Sequence, residues 1–270
     1  MERPLRCVIC CYDVGPDAIV PVLDSIGADT GRQLFGVIVN NRTSPRWPER
    51  SGWEMIQGSN ALMDLSAFAE GGGHVVEHVG RDEAVMFVND STFTKHNARR
   101  HLQELVKYAG RLGQIDVPCI AGKVDNYADH CFLNPWSGLN AFVSTFAFML
   151  NARGVRTLLD VYASVDSVMG DPGLDVSDHG WGVGLSPPFR EFLRTHLTMP
   201  GSPSAWYQSE KYRNDRAVLQ AKSRCVYLEH RLSGEIGRSG VIISLYPRQR
   251  DKLRFRLADQ VAKLRRKAGL

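Results

Sequence analysis

Hydrophobic and polar positions alternate between two periods along the first 115 residues. Leu5–Tyr12 is apolar almost throughout and predicts a strand, with Asp13–Pro16 as the turn after it. Ala18–Ile26 then places Ile19, Val22, Leu23 and Ile26 at helical spacing. Gln33–Asn40 is a second near-continuous apolar run, and Ala84–Val88 is a third. Runs of this kind indicate strands covered on both faces, as in parallel sheets. Between them, Arg42–Gly52 reads as a loop, and Ser59–Glu70 as a helix stopped by Gly71-Gly72-Gly73. Val75–Val79 reads as a short strand. His96–Leu112 predicts one amphipathic helix, with Leu102, Leu105, Tyr108 and Leu112 on one side. Strand alternating with helix argues for an α/β chain with a parallel, doubly wound sheet.

The second half is less regular. Val117–Gly122 reads as a strand, and Ala141–Leu150 as a strand or a buried helix. Gly154–Ser167 and Ala217–Gly237 read as helices and Val241–Tyr246 as a final strand. Met169–Trp206 is rich in Gly, Pro, Asp and Ser, which predicts a long loop with a short helix near Phe189–Leu197.

Charge changes this picture at one end only. Of the net +4, the segment Arg248–Lys267 carries +7, from nine Lys or Arg against two Asp, so the rest of the chain is mildly acidic at −3. In that segment Leu253, Leu257, Val261 and Leu264 fall on one helical face among basic residues. A basic amphipathic helix over 248–270 suits an anionic membrane surface. The same stripe also suits packing on the body. With basic charge confined to the tail and no recognition motif, nucleic-acid binding is not expected.

The apolar run Cys7–Tyr12 is too short for a secretory core and is broken by Asp13. No segment approaches the ~18 apolar residues of a membrane span. A cytoplasmic location, peripheral on the inner face of the cell membrane, is therefore expected, with six reduced cysteines. Cys7-x-x-Cys10 has the spacing of half a zinc site, but no second pair follows, and Cys also packs as a small hydrophobe in a strand. The glycines at 180, 182 and 184 lack the strand and helix of a dinucleotide fingerprint.

Four polar tips occur in order. The first strand ends at Tyr12-Asp13, the second at Asn40-Asn41-Arg42, a helix opens at Ser59-Asn60-Ala61-Leu62-Met63-Asp64, and a later strand ends at Asn89-Asp90-Ser91. Downstream come Ser144-Thr145-Phe146-Ala147-Phe148 and the run Leu228-Glu229-His230-Arg231-Leu232-Ser233-Gly234. This series, over roughly residues 5–247, resembles the GT-A fold glycosyltransferases, in particular the rhamnan synthesis protein F-like enzymes of bacterial polysaccharide assembly.

The resemblance implies one GT-A-like domain over 1–247. Its nucleotide-binding half would be 1–115 and its acceptor half 116–247, around a mainly parallel sheet flanked by helices. It implies transfer of a sugar from a nucleotide-sugar donor to a saccharide or lipid-linked acceptor. Asp90 would organise the diphosphate or a Mg²⁺ or Mn²⁺ ion, and Glu229 would act as base near the acceptor. Asp13, Asn40, Asn41, Asn60, Asp64, Asn89 and Ser91 would contact the donor, with Arg42 and Arg46 within reach of its phosphates. A full Asp-x-Asp metal motif is absent, since Asn89 and Ser91 flank a single Asp. Mg²⁺ commonly takes only one or two protein carboxylates plus phosphate oxygens, so one Asp is chemically sufficient.

The same residue types also serve turns and helix caps, as Ser59 or Asn60 would at the helix start. Glu229 also fits a surface pair with a nearby Arg. The acidic series Asp166, Asp171, Asp175, Asp178 fits either a cation or acceptor site or a solvated lid. Trp136, Trp181 and Trp206 suit sugar stacking or core filling. Two other classes fit the sequence: a catalytically silent nucleotide- or sugar-binding subunit of an assembly complex, and a membrane-docked scaffold.

Overall fold

The computed structural model describes residues 2–42, 51–127, 133–170, 175–176 and 178–267. Seven strands form one sheet: β1 (Leu5–Cys11), β2 (Leu34–Asn40), β3 (Trp53–Gln57), β4 (Ala84–Asn89), β5 (Cys119–Asp125), β6 (Phe142–Asn151) and β7 (Val241–Ser244). Their spatial order is β3-β2-β1-β4-β6-β5-β7. All run parallel except β6, which is antiparallel to both β4 and β5. The chain steps outward from β1 to β2 and β3, then returns to the other side of β1 at β4. The carboxyl ends of β1 and β4 therefore flank a topological switch point.

Residues of one strand alternate between two cores. Cys7, Ile9 and Cys11 pack with Ile19, Leu23, Met86 and Leu102 on one face. Val8 and Cys10 pack with Phe68, Phe87, Phe148 and Leu232 on the other. Cys7 and Cys10 are thus buried on opposite faces, and a shared zinc ion is geometrically closed to them.

The first face is covered by α1 (Pro16–Thr30), α4 (Ala98–Val106) and α5 (Ala109–Gly113). Proline near the start of α1 and left-handed Gly31 past its end fix its limits. The single helix expected over 96–112 is instead α4 and α5, preceded by the short α3 (Ser91–Lys95). Asn97 caps α4 by accepting from the Arg100 amide, and a cap at that position starts a new helix.

The second face carries α2 (Met63–Val76), α6 (Ala152–Ala163) and the long α10 (Arg216–Ser239). Gly71-Gly72-Gly73 does not stop α2, and Val75–Val79 is not a strand. A Cβ on Gly71 would lie 2.3 Å from Val8 Cγ1 and 3.0 Å from Val39 Cγ2. The glycines let α2 approach the sheet closely, and the burial gained there outweighs their low helix propensity. The edge strand β3 had no counterpart in the pattern, because Glu54 and Gln57 dilute a five-residue segment.

Residues expected in a long loop after Met169 also contribute to this core. α7 (Val165–Met169) and α8 (Pro187–Thr198) bracket Val176, Trp181 and Leu185, all buried. Arg194 on α8 donates to the carbonyls of Val176 and Asp178 (both 3.0 Å), so those two residues are fastened to α8 rather than parts of a solvated lid. A four-residue α9 (Ser209–Tyr212) leads into α10, and α11 (Gln249–Lys267) closes the described chain. Among the described residues no helix is long and apolar enough to cross a membrane.

Candidate functional site

Ligands of open α/β sheets bind outside the carboxyl ends of the strands, at the switch point. At this edge β2, β4 and β5 end in polar residues, Tyr12-Asp13 follow β1, and the amino end of antiparallel β6 meets them. Asp90 lies at the centre and is only 4% exposed. Its Oδ2 accepts three backbone N–H bonds, from Tyr12 (2.8 Å), Asp13 (2.6 Å) and Val14 (2.9 Å). Three successive amides around one anion form a nest of the kind that also binds phosphate. Here the protein's own carboxylate fills it. The Arg42 guanidinium holds the same turn from the other side, donating to the carbonyls of Tyr12 and of Asp13 (2.9 Å). Arg46 lies outside the described residues.

The asparagines are also spent on local structure. Asn40 Oδ1 accepts from the Arg42 amide (3.0 Å), and Gln57 Nε2 donates to the carbonyls of Asn40 and Arg42 (2.8 Å each). Asn41 donates to the Met63 carbonyl (2.8 Å) and to Asn60 Oδ1 (3.4 Å). Asn60 (φ 54°) and Met63 (φ 51°) both lie in the left-handed region, which is costly for a non-glycine and rarer still for bulky Met. Asn41 therefore pins a strained entry to α2. Asn41 Oδ1 is buried without a hydrogen-bond partner and faces Gly58. Ser59 does not cap α2; Ser66 reaches back instead, accepting from the Leu62 amide and donating to the Met63 carbonyl.

The strained entry delivers Asp64 in the first turn of α2. Asn89 at the tip of β4 donates to Asp64 Oδ2 (2.7 Å), while its Oδ1 accepts from the Ser91 amide (3.1 Å) and starts α3. Across the crevice, Glu229 on α10 accepts from Thr145 of β6 through the amide (2.7 Å) and hydroxyl (3.0 Å). Burial pushes both carboxyls above their ordinary range; the Asp64 charge adds to the shift of Glu229, and the Asp90 charge adds to that of Asp64. Lys222, two turns before Glu229, opposes both shifts. Burial disfavours the Lys222 ammonium, but Cys225, Asp64 and Glu229 together outweigh this and raise it. Two acids of raised pKa thus lie within the electrostatic reach of one cation at the edge of the sheet.

Of the positions expected to act, Asp64, Asn89 and Glu229 are brought into one electrostatic group. Asp90, Asn40, Asn41 and Asn60 shape the loops around it. Asp13 is exposed beside the nest, with its backbone held by Asp90 and Arg42.

Lys222 and Thr145 were not anticipated. Lys222, Cys225 and Glu229 recur at i, i+3 and i+7, a single helical face, and that spacing was a readable signal. The face docks on α2, where Cys225 Sγ donates to the Leu62 carbonyl (3.0 Å). Nearby, Lys222 lies over the Trp206 ring at 5.7 Å, and Trp206 stacks on Tyr212. The neighbouring Tyr207 hydrogen-bonds Lys95 of α3 and is 69% exposed. Trp181 is fully buried, and Trp136 packs edge-on to Phe189 and Tyr227, so both serve the core. Asp166 pairs with buried Arg224 (3.0 Å), and Asp178 accepts from the Asp175 amide. Asp171 lies outside the described residues. His230, next to Glu229, points instead to Tyr127 and Phe142.

For a divalent cation, the donor set at the switch point fits poorly. Asp90 Oδ2 is saturated by amides, and among the described residues no group of three His, Cys, Asp or Glu could hold an ion. Asp64, Glu229 and Asp125 at the end of β5 already accept hydrogen bonds, and Asp13 is exposed beside the nest. No family model matches this chain, and no curated protein matches it.

Proposed function

We propose that this protein is a GT-A-like glycosyltransferase of bacterial surface polysaccharide synthesis. It would move a sugar from a nucleotide-sugar donor to a saccharide or lipid-linked acceptor. The observation that supports this most is the Asp64–Lys222–Glu229 group at the carboxyl edge of a doubly wound sheet. A carboxyl raised by burial suits proton transfer near neutral pH. In this reading Glu229 takes the proton of the acceptor hydroxyl as its oxygen bonds to the anomeric carbon. The anomeric bond to the diphosphate breaks, and the nucleoside diphosphate leaves with the electron pair. Lys222 and Lys95 meet the departing charge, since a preorganised cation is effective where charge develops. Asp64, held by Asn89, orients a donor hydroxyl, and Asp90 fixes the Tyr12–Val14 turn beneath the donor. No step is routed through Mg²⁺ or Mn²⁺.

A second reading is a silent nucleotide- or sugar-binding subunit. The commitment of Asp90 Oδ2 to three backbone amides favours it, because that oxygen is already taken. Thermal-shift screening with UDP, GDP and dTDP, with and without Mg²⁺ or Mn²⁺, tests the shared premise of nucleotide binding. Transfer assays on Glu229→Gln and Lys222→Ala then separate the readings. Stabilisation by one nucleotide with sugar transfer lost in both variants supports the enzyme. Binding without turnover in the unmodified protein favours the silent subunit, and no stabilisation by any nucleotide would sink the enzyme and leave only a sugar-binding subunit.

A further inference from the structure

The C-terminal helix α11 is fastened to the body by one face and leaves its apolar stripe free. Phe255 is 3% exposed and stacks on Tyr246 with ring centroids 4.6 Å apart. Asp259 accepts from the Asn97 amide (2.7 Å) and pairs with His96 Nδ1 (2.7 Å). Leu253, Leu257, Val261 and Leu264 lie on the opposite side and are 59%, 52%, 49% and 65% exposed. At 3.6 residues per turn these four fall within a sector of about 80°. Arg254 and Arg265 border it on one side, Arg256 and Lys263 on the other, all exposed. The packing alternative for the Leu stripe is therefore taken by Phe255 and Asp259 instead.

We infer that this face of α11 docks on an anionic phospholipid surface. Four aliphatic side chains bordered by cations match an interfacial helix, whose apolar face enters the acyl boundary while its cations meet headgroup phosphates. Charge complementarity decides the occupant. A second copy seated on the same stripe would bring its arginines against these, and like charges at a rim disfavour pairing. Because α11 packs on α3, and α3 begins at the Asn89–Ser91 tip, docking would also hold the sheet edge in a fixed relation to the lipid. The inference stands without glycosyl transfer. Loss of lipid binding would leave nucleotide binding untouched, and the reverse.

Co-sedimentation of the full chain with vesicles tests it. Phosphatidylcholine vesicles are compared with vesicles containing phosphatidylserine, at about 0.1 M and about 0.5 M salt. Binding should require phosphatidylserine and fall by at least about tenfold at the higher salt. Leu257→Glu/Leu264→Glu should abolish it with the unfolding midpoint unchanged, since neither residue is packed. Arg256→Gln/Arg265→Gln should weaken it, with apolar contact retained. Equal binding to both vesicle types, no binding at low salt, or a Leu-to-Glu variant that binds normally would overturn the inference. So would a dimer in solution that the Leu-to-Glu variant dissolves, which would give the stripe to a second copy.

Discussion

Replacing Asp90 distinguishes a structural latch from a phosphate or metal ligand. Its Oδ2 accepts the amides of Tyr12, Asp13 and Val14 at 2.6–2.9 Å, and removing it orphans all three. An unsatisfied buried donor costs about 1–3 kcal/mol. Tyr12 and Asp13 are exposed residues, so water can reach part of the vacated nest and the lower figure applies. Asp90→Ala should therefore cost about 3 kcal/mol. Asp90→Asn keeps one neutral acceptor, and neutral bonds are roughly half as strong as charge-assisted ones, so it should cost about half as much. For a chain of this size the Ala variant would melt about 6–12 °C lower. Guanidinium unfolding gives the difference, from a shifted midpoint at unchanged slope. If Asp90→Ala unfolds with the unmodified protein and only loses transfer, the carboxylate serves a ligand and the latch is wrong.

The other predictions concern titration and packing. The Glu229 carboxyl is raised above 4.5 by burial, so its charged form is disfavoured in the fold. That penalty is absent below the unfolded value and grows as pH rises through the folded one. The stability of Glu229→Gln relative to the unmodified protein should therefore climb with pH above about 4.5 and then level; a flat difference would contradict the assignment. His101 is fully buried against Tyr246 and held down at about 4, so the stability it confers is complete above 6.5 and lost as pH falls toward 4. At about 1.4 kcal/mol per unit this is about 3 kcal/mol, and His101→Gln should remove most of that acid sensitivity in urea titrations. Gly71→Ala should destabilise by about 1–3 kcal/mol through contact with Val8, despite alanine's better helix propensity. A stabilised variant would mean that α2 shifts freely.

The sequence by itself determined the layering. Runs such as Leu34–Asn40 and Ala84–Asn89 are apolar on both faces, and that pattern survives any packing detail because the strand needs cover on each side. It also placed Asp13, Asn40, Asp64 and Asn89 near one edge, since strand ends and helix starts are local features. Glu229 and its face-mates Lys222 and Cys225 were readable from helical spacing.

Only the tertiary structure decided what these residues touch. Glycines at 71–73 look like a stop signal until Val8 and Val39 press against α2. Leu62 and Cys225 meet across 163 positions, and that contact brings the acid of α2 toward the acid of α10. Asp90 reads as a free strand-tip acid, yet the turn after β1 supplies three amides that no local pattern announces. Hydrophobic period is a short-range property and survives in the sequence. Hydrogen-bond partnership and charge coupling depend on distances between segments, which the fold alone sets.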